Sequence, residues 1–135
     1  MEQDRIKHLE FIQNIINRMN ANSFQIKGWM ITIVSALLAL YASSNNYIYV
    51  FVAIVPTVVF WFLDSYYLQK ERKFRGLYED VINPEKNIQL FSMDISNYRV
   101  GRYKFCCCLF STTTAILYLT IACLLTGGVL IVKVF

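Results

Sequence analysis

The stretches without charge decide what this chain can fold into. Between Gly28 and Leu63 no Asp, Glu, Lys, Arg or His occurs in 36 residues, and a second clean run covers the 28 residues from Phe105 to Val132. Above about 18 apolar residues, a helix is long enough to cross a bilayer with its backbone groups bonded internally. The first run is too long for one crossing and carries Ser43-Ser44-Asn45-Asn46, a polar turn cluster. Two spans are expected there, at 28–42 and 47–63, and a third at 105–132. Only 16% of the 135 residues are charged, against about 25% in soluble domains, which excludes an ordinary soluble domain. The apolar run starts behind a polar segment carrying both charge signs, unlike a cleaved signal peptide.

The polar segments read as helices too. In residues 1–27, Leu9, Phe11, Ile12, Ile15, Ile16 and Met19 share one arc, and Glu10, Gln13, Asn14, Asn17 and Arg18 lie opposite. Such an amphipathic helix lies on a membrane or packs on a partner helix. Four basic and three acidic residues favour packing. Asn20-Ala21-Asn22-Ser23 is expected to loosen it or turn it into the first span. After Asp64 the period continues through Tyr67, Phe74, Leu77, Tyr78, Val81 and Ile82, until Asn83-Pro84 stops it. The second span is therefore expected to run on into water. A connector follows, with a short helix opening at Ser92 or Asp94. The expected fold is all-α, with three transmembrane helices, an N-terminal amphipathic cytoplasmic helix (1–27), a two-span hairpin (28–63), a cytoplasmic helix and connector (64–104) and a third span (105–135).

Twelve of the thirteen Lys and Arg residues lie in 1–27 and 64–104, and only Lys133 lies beyond. By the positive-inside rule those segments face the cytoplasm, with the C-terminus outside. Eight basic residues in 64–104 are interleaved with six acids, too mixed a surface for direct nucleic-acid binding.

Little catalytic chemistry is visible. His8 is the lone histidine, no phosphate loop or nucleophile elbow occurs, and Cys106, Cys107, Cys108 and Cys123 form no CxxC pair. No enzyme activity, metal or cofactor is expected. Asp64 follows an apolar run and reads as a boundary anchor, an intersubunit salt bridge or part of an ion path. Ser111, Thr112, Thr113 and Thr114 are expected inside the third span, where hydroxyls pack helices or line a pore. The stripe Tyr67, Phe74, Tyr78 and Val81 would face water in a lone chain and is expected to form an oligomer interface.

His8-Leu9-Glu10-Phe11-Ile12-Gln13, Asn22-Ser23-Phe24 with Lys27-Gly28-Trp29, and Phe60-Trp61-Phe62-Leu63-Asp64-Ser65-Tyr66-Tyr67-Leu68 with Glu71-Arg72-Phe74-Arg75-Leu77-Tyr78 occur in that order. With Phe91-Ser92-Met93-Asp94, they resemble the RipA family of small octameric bacterial inner-membrane proteins. More loosely, the layout resembles SLATT-type membrane modules, proposed membrane-perturbing effectors of anti-phage systems. The resemblance implies a homo-oligomer, an octamer, in the bacterial inner membrane, and carries no catalytic residue across. Three functions are consistent with this sequence: a pore-forming or membrane-perturbing effector in bacterial anti-phage defence, a structural or adaptor protein binding a cytoplasmic partner, and a holin-like lysis protein.

Overall fold

A computed structural model describes all residues from Met1 to Phe135. The chain is all-helical: α1 (Glu2–Ser44), α2 (Ile48–Ile82), α3 (Phe105–Leu109) and α4 (Thr112–Val134), with a 3-10 turn at Gly101–Tyr103. Of these, α1, α2 and α4 are each long and apolar enough to cross a membrane, which makes this a multi-pass membrane protein by length and composition.

The expected loosening at residues 20–23 does not occur, and α1 is one helix of 43 residues. The reason lies in its buried stripe. Ile12, Ile16, Ser23, Ile26, Met30, Val34 and Tyr41 recur at helical spacing through the polar stretch, so the face turned to α2 never changes. Polar residues there replace apolar ones without shifting the register. The helix ends at Asn45, which takes the left-handed conformation (φ 53°) and donates its N–H to Tyr41 O at 2.8 Å. Asn adopts that region more readily than most residues. Asn46 Oδ1 then accepts from the Ile48 N–H at 3.0 Å, so the Asn pair closes α1 and opens α2.

α1 and α2 form a long antiparallel hairpin with two cores. In the apolar half Met30, Val34 and Ala53 meet Tyr118, Ile121 and Leu125 of α4. In the polar half Ile12, Ile16, Leu77 and Val81 are covered by Phe74, Tyr78, Ile88, Met93, Ile95 and Tyr98. This corrects the premise for the stripe. Phe74, Tyr78 and Val81 do not wait for another copy; they pack on α1 and on the connector of the same chain, and Tyr67 is half-buried. At about 1.5 Å per residue, the 18 residues that follow Asp64, up to Ile82, carry the hairpin about 27 Å beyond that acid.

The connector straps the tip of the hairpin instead of forming the helix expected at Ser92 or Asp94. Asp94 Oδ1 accepts from the Ser96 N–H at 2.9 Å, a local turn that competes with helix. His8 is 1% exposed, and its Nε2–H donates to Ser92 O at 2.8 Å. Arg5 reaches the end of α2 from the other helix, donating to Val81 O (3.0 and 2.6 Å) and Ile82 O (2.6 Å). A cation on those open carbonyls is the favourable charge for a helix C-terminus. Burial works against ionisation of Asp80, yet hydrogen bonds from Lys86 Nζ and Tyr98 Oη, each 2.6 Å long, hold its carboxyl below the ordinary value. A depressed carboxyl stabilises the fold above its ordinary value and loses that contribution as pH falls through the depressed one. Proteolysis within 83–100 is therefore expected to quicken in acid in the native protein, and less so in Asp80→Asn.

At Gly76 the rings of Tyr98 and Tyr103 pack directly on α2. A Cβ there would meet the Tyr103 hydroxyl and would lie 3.0 Å from both Tyr103 Cζ and Tyr98 Cδ1. Those two rings pack edge to face and have little room to retreat. Gly76→Val is expected to destabilise by about 1–3 kcal/mol through overpacking, read as a lower melting midpoint in detergent.

Candidate functional site at the junction of the two cores

The polar groups of interest gather where the apolar half of the hairpin meets the polar half. Asp64 is fully buried, and Ser23 Oγ–H donates to its Oδ1. Lys27 Nζ stands 2.8 Å from each carboxylate oxygen and 2.7 Å from Ser23 Oγ. Lys27 lies one turn beyond Ser23 on α1, so both side chains leave the same face toward Asp64. The trio ties the two helices at one height. Ionised groups removed from water are tolerable only when paired and hydrogen-bonded in this way.

This arrangement revises the expectations for Asp64. Its partner is Lys27 of the same chain. Lys70 lies over the Tyr66 ring, 5.3 Å from its centroid. Arg72 binds Arg102 O (3.0 Å) and Ser111 Oγ (3.1 Å). As placed, Asp64 offers no free negative charge to a passing ion. A polar cleft of about 340 Å³ adjoins the trio, lined by Asn20, Ser23, Lys27, Glu71, Thr113 and Thr114 among others.

Of the four hydroxyl residues expected inside the third span, Ser111 lies just outside its helix and Thr112, Thr113 and Thr114 form its first turn. The apolar run breaks at Phe110, leaving α3 as a single turn, and Ser111 is the extended residue that precedes α4. Thr114 is buried, and its hydroxyl lies within hydrogen-bond reach of Cys108 O, Leu109 O and Ser111 O. That side chain satisfies carbonyls at the break, while Arg72 holds the Ser111 hydroxyl from α2. Thr112 and Thr113 are exposed at the start of the helix. Deeper hydroxyls are already committed: Thr32, Thr57, Thr120 and Thr126 each bond a carbonyl one turn back, at 2.7–3.0 Å. A hydroxyl bonded to its own helix adds little polarity to the surface it faces.

Trp61 marks the same boundary on the α4 side. Its Nε1–H donates to Leu109 O at 3.1 Å, and its ring meets Phe110 edge-on at 6.1 Å. Tyr118, two turns into α4, is buried, and its hydroxyl has no partner. No group of three His, Cys, Asp or Glu side chains is placed to hold a metal, and all four cysteines are free thiols.

Sequence reasoning missed Ser23, Lys27 and Arg5 as partners. One signal was present: Lys27 is the last charge before the first clean run and Asp64 the first after it. Two helices folded back at residue 45 bring these positions opposite one another. Compared with family models, with curated proteins and with solved structures, the chain finds no match.

Proposed function

We propose that this protein is an oligomeric, multi-pass inner-membrane protein of bacteria that acts as a structural or adaptor element. Its hairpin projects into the cytoplasm to engage a protein partner there. The observation that carries this reading is the continuity of the hairpin: α1 and α2 leave the apolar region without a break and are strapped at the tip by Arg5, His8 and the connector. A rod of that kind holds a binding surface at a set distance from the bilayer. Its outer face mixes charges with exposed apolar side chains, Ile6, Phe11, Ile82, Leu90 and Phe91 among them, a surface suited to a protein partner. The basic residues at both ends of the rod support the cytoplasmic placement.

Reporter fusions at residues 45, 85 and 135 test the orientation, with a cytoplasmic signal expected only at 85. Cross-linking in intact cells followed by co-purification tests the partner. The reading fails if the chain is recovered alone after cross-linking at several positions on the hairpin.

A membrane-perturbing role, in the anti-phage setting that the family resemblance suggests, is the second reading. The polar cleft beside Lys27 favours it, because a symmetric oligomer would repeat that cleft around an axis. Bilayer recordings separate the two. With Asp64 sealed by Lys27, Asp64→Asn is expected to lower stability and leave any ion selectivity unchanged. A selectivity change without loss of stability would support the pore.

A further inference from the structure

Between α2 and α4, within the apolar half, lies a groove of about 330 Å³ whose lining is hydrophobic in nine of ten residues. Ile54, Val58 and Trp61 form one wall, and Ala115, Leu119 and Ala122 the other. Of its two hydroxyls, that of Thr57 is committed to Ala53 O at 2.8 Å and that of Tyr118 is buried. A second hollow of about 500 Å³ continues it away from the boundary, sharing Ile54, Ala122 and Leu125. At the boundary end the groove is lined by Trp61 and the exposed Phe110.

Beside Phe110 stands a group of cations with no acid to balance them. The carboxylates nearby are taken: Asp64 by Lys27, Glu71 by Arg75, Glu79 by Arg102. Arg72 binds only neutral groups, namely Arg102 O, Ser111 Oγ and Cys108 Sγ. Lys73 follows Arg72 on α2 and is half-buried, and Lys104 is the exposed residue from which α3 begins. Neither lysine is paired with a carboxylate. Arg72 bonds the Cys108 sulfur of α3 and the Ser111 hydroxyl, next in sequence to Phe110 on the groove lining, and Lys104 opens α3.

We propose that this groove binds one acyl chain of an anionic phospholipid, with the headgroup phosphate on Arg72, Lys73 and Lys104. The inference rests on the membrane-spanning character of the chain and not on the adaptor role. An acyl chain suits the groove better than a neighbour's helix does. A helix with its side chains is about 10–12 Å across, and the one unpartnered polar group on the lining, the Tyr118 hydroxyl, is buried. The cations select the headgroup. A lipid of net negative charge relieves them, whereas a zwitterionic one brings an ammonium group that they repel.

The test is native mass spectrometry on the full chain, purified in mild detergent and stripped of lipid. Dioleoyl phosphatidylglycerol, dioleoyl phosphatidylcholine and glycerol 3-phosphate are the probes. The phosphatidylglycerol is expected to bind at least tenfold more tightly than the phosphatidylcholine. Lys73→Gln with Lys104→Gln should remove that preference; neither side chain holds the fold together. Ala122→Trp, which fills the groove, should weaken both lipids severalfold, and Ala115→Leu serves if the larger ring disturbs folding. Equal binding of the two lipids by the native chain overturns the proposal. So does displacement by glycerol 3-phosphate at matched concentration, which would mark a site for a soluble anion. A groove-filling variant that alters copy number and leaves lipid binding intact would assign the groove to a second copy and overturn it too.

Discussion

Lys27→Met is expected to destabilise this protein by about 3–5 kcal/mol, the usual cost of removing one partner of a buried ion pair. Asp64 is fully buried and would keep only the Ser23 hydroxyl. A carboxylate left in that state must take up a proton or draw water into the helix pair. Denaturant melting in detergent reads the loss directly. The double variant Lys27→Met, Asp64→Leu is expected to recover most of it, because an apolar pair of similar volume needs no charge compensation. A loss below about 1 kcal/mol in the single variant would place the pair in the exposed class. Water would then reach Asp64 through the neighbouring cleft, and the ion-path reading would gain.

Leu77→Ala is expected to lower stability by about 2–5 kcal/mol, and to act on a different part of the molecule. Leu77 is 2% exposed in the core of the polar half, about 13 residues beyond Asp64 on α2. The cavity it leaves lies beneath the connector, so protease sites within 83–100 should open while the copy number stays the same. The opposite result, a change in copy number with the connector still protected, would show that the stripe carrying Phe74, Tyr78 and Val81 works between copies. The two substitutions should add nearly independently, since the cores they disturb share no partner.

Much of the fold is legible in the sequence. Charge-free length settles the number of spanning helices, since nothing in hydrocarbon replaces an internal backbone bond. Asn45-Asn46 places the reversal, and Asn83-Pro84 the end of α2, for local conformational reasons that hold in any context. The unbroken course of α1 is legible only if the buried period is followed through Ser23 and Lys27. A polar residue on a buried face looks like an interruption until its partner is known.

The break before α4 is a tertiary matter. Five apolar residues from Phe105 read as the opening of a span. They form a separate turn because Arg72, 39 positions earlier, holds Ser111, and because Thr114 answers the carbonyls that the break exposes. The fate of the stripe on α2 was undecided for a similar reason. Periodicity shows that a face is apolar and not what covers it, and here α1 and the connector cover it within one chain. The role of Asp64 was decided in space as well. A carboxylate at the edge of an apolar run is an ion site, an anchor or half of a pair according to what stands opposite. Which cation stands there depends on how two long helices fold back on each other. Charge-free length and local turn chemistry are properties of neighbouring residues, and the sequence states them directly. Pairings across the hairpin depend on register, which is set only when the whole buried face of α1 has met that of α2.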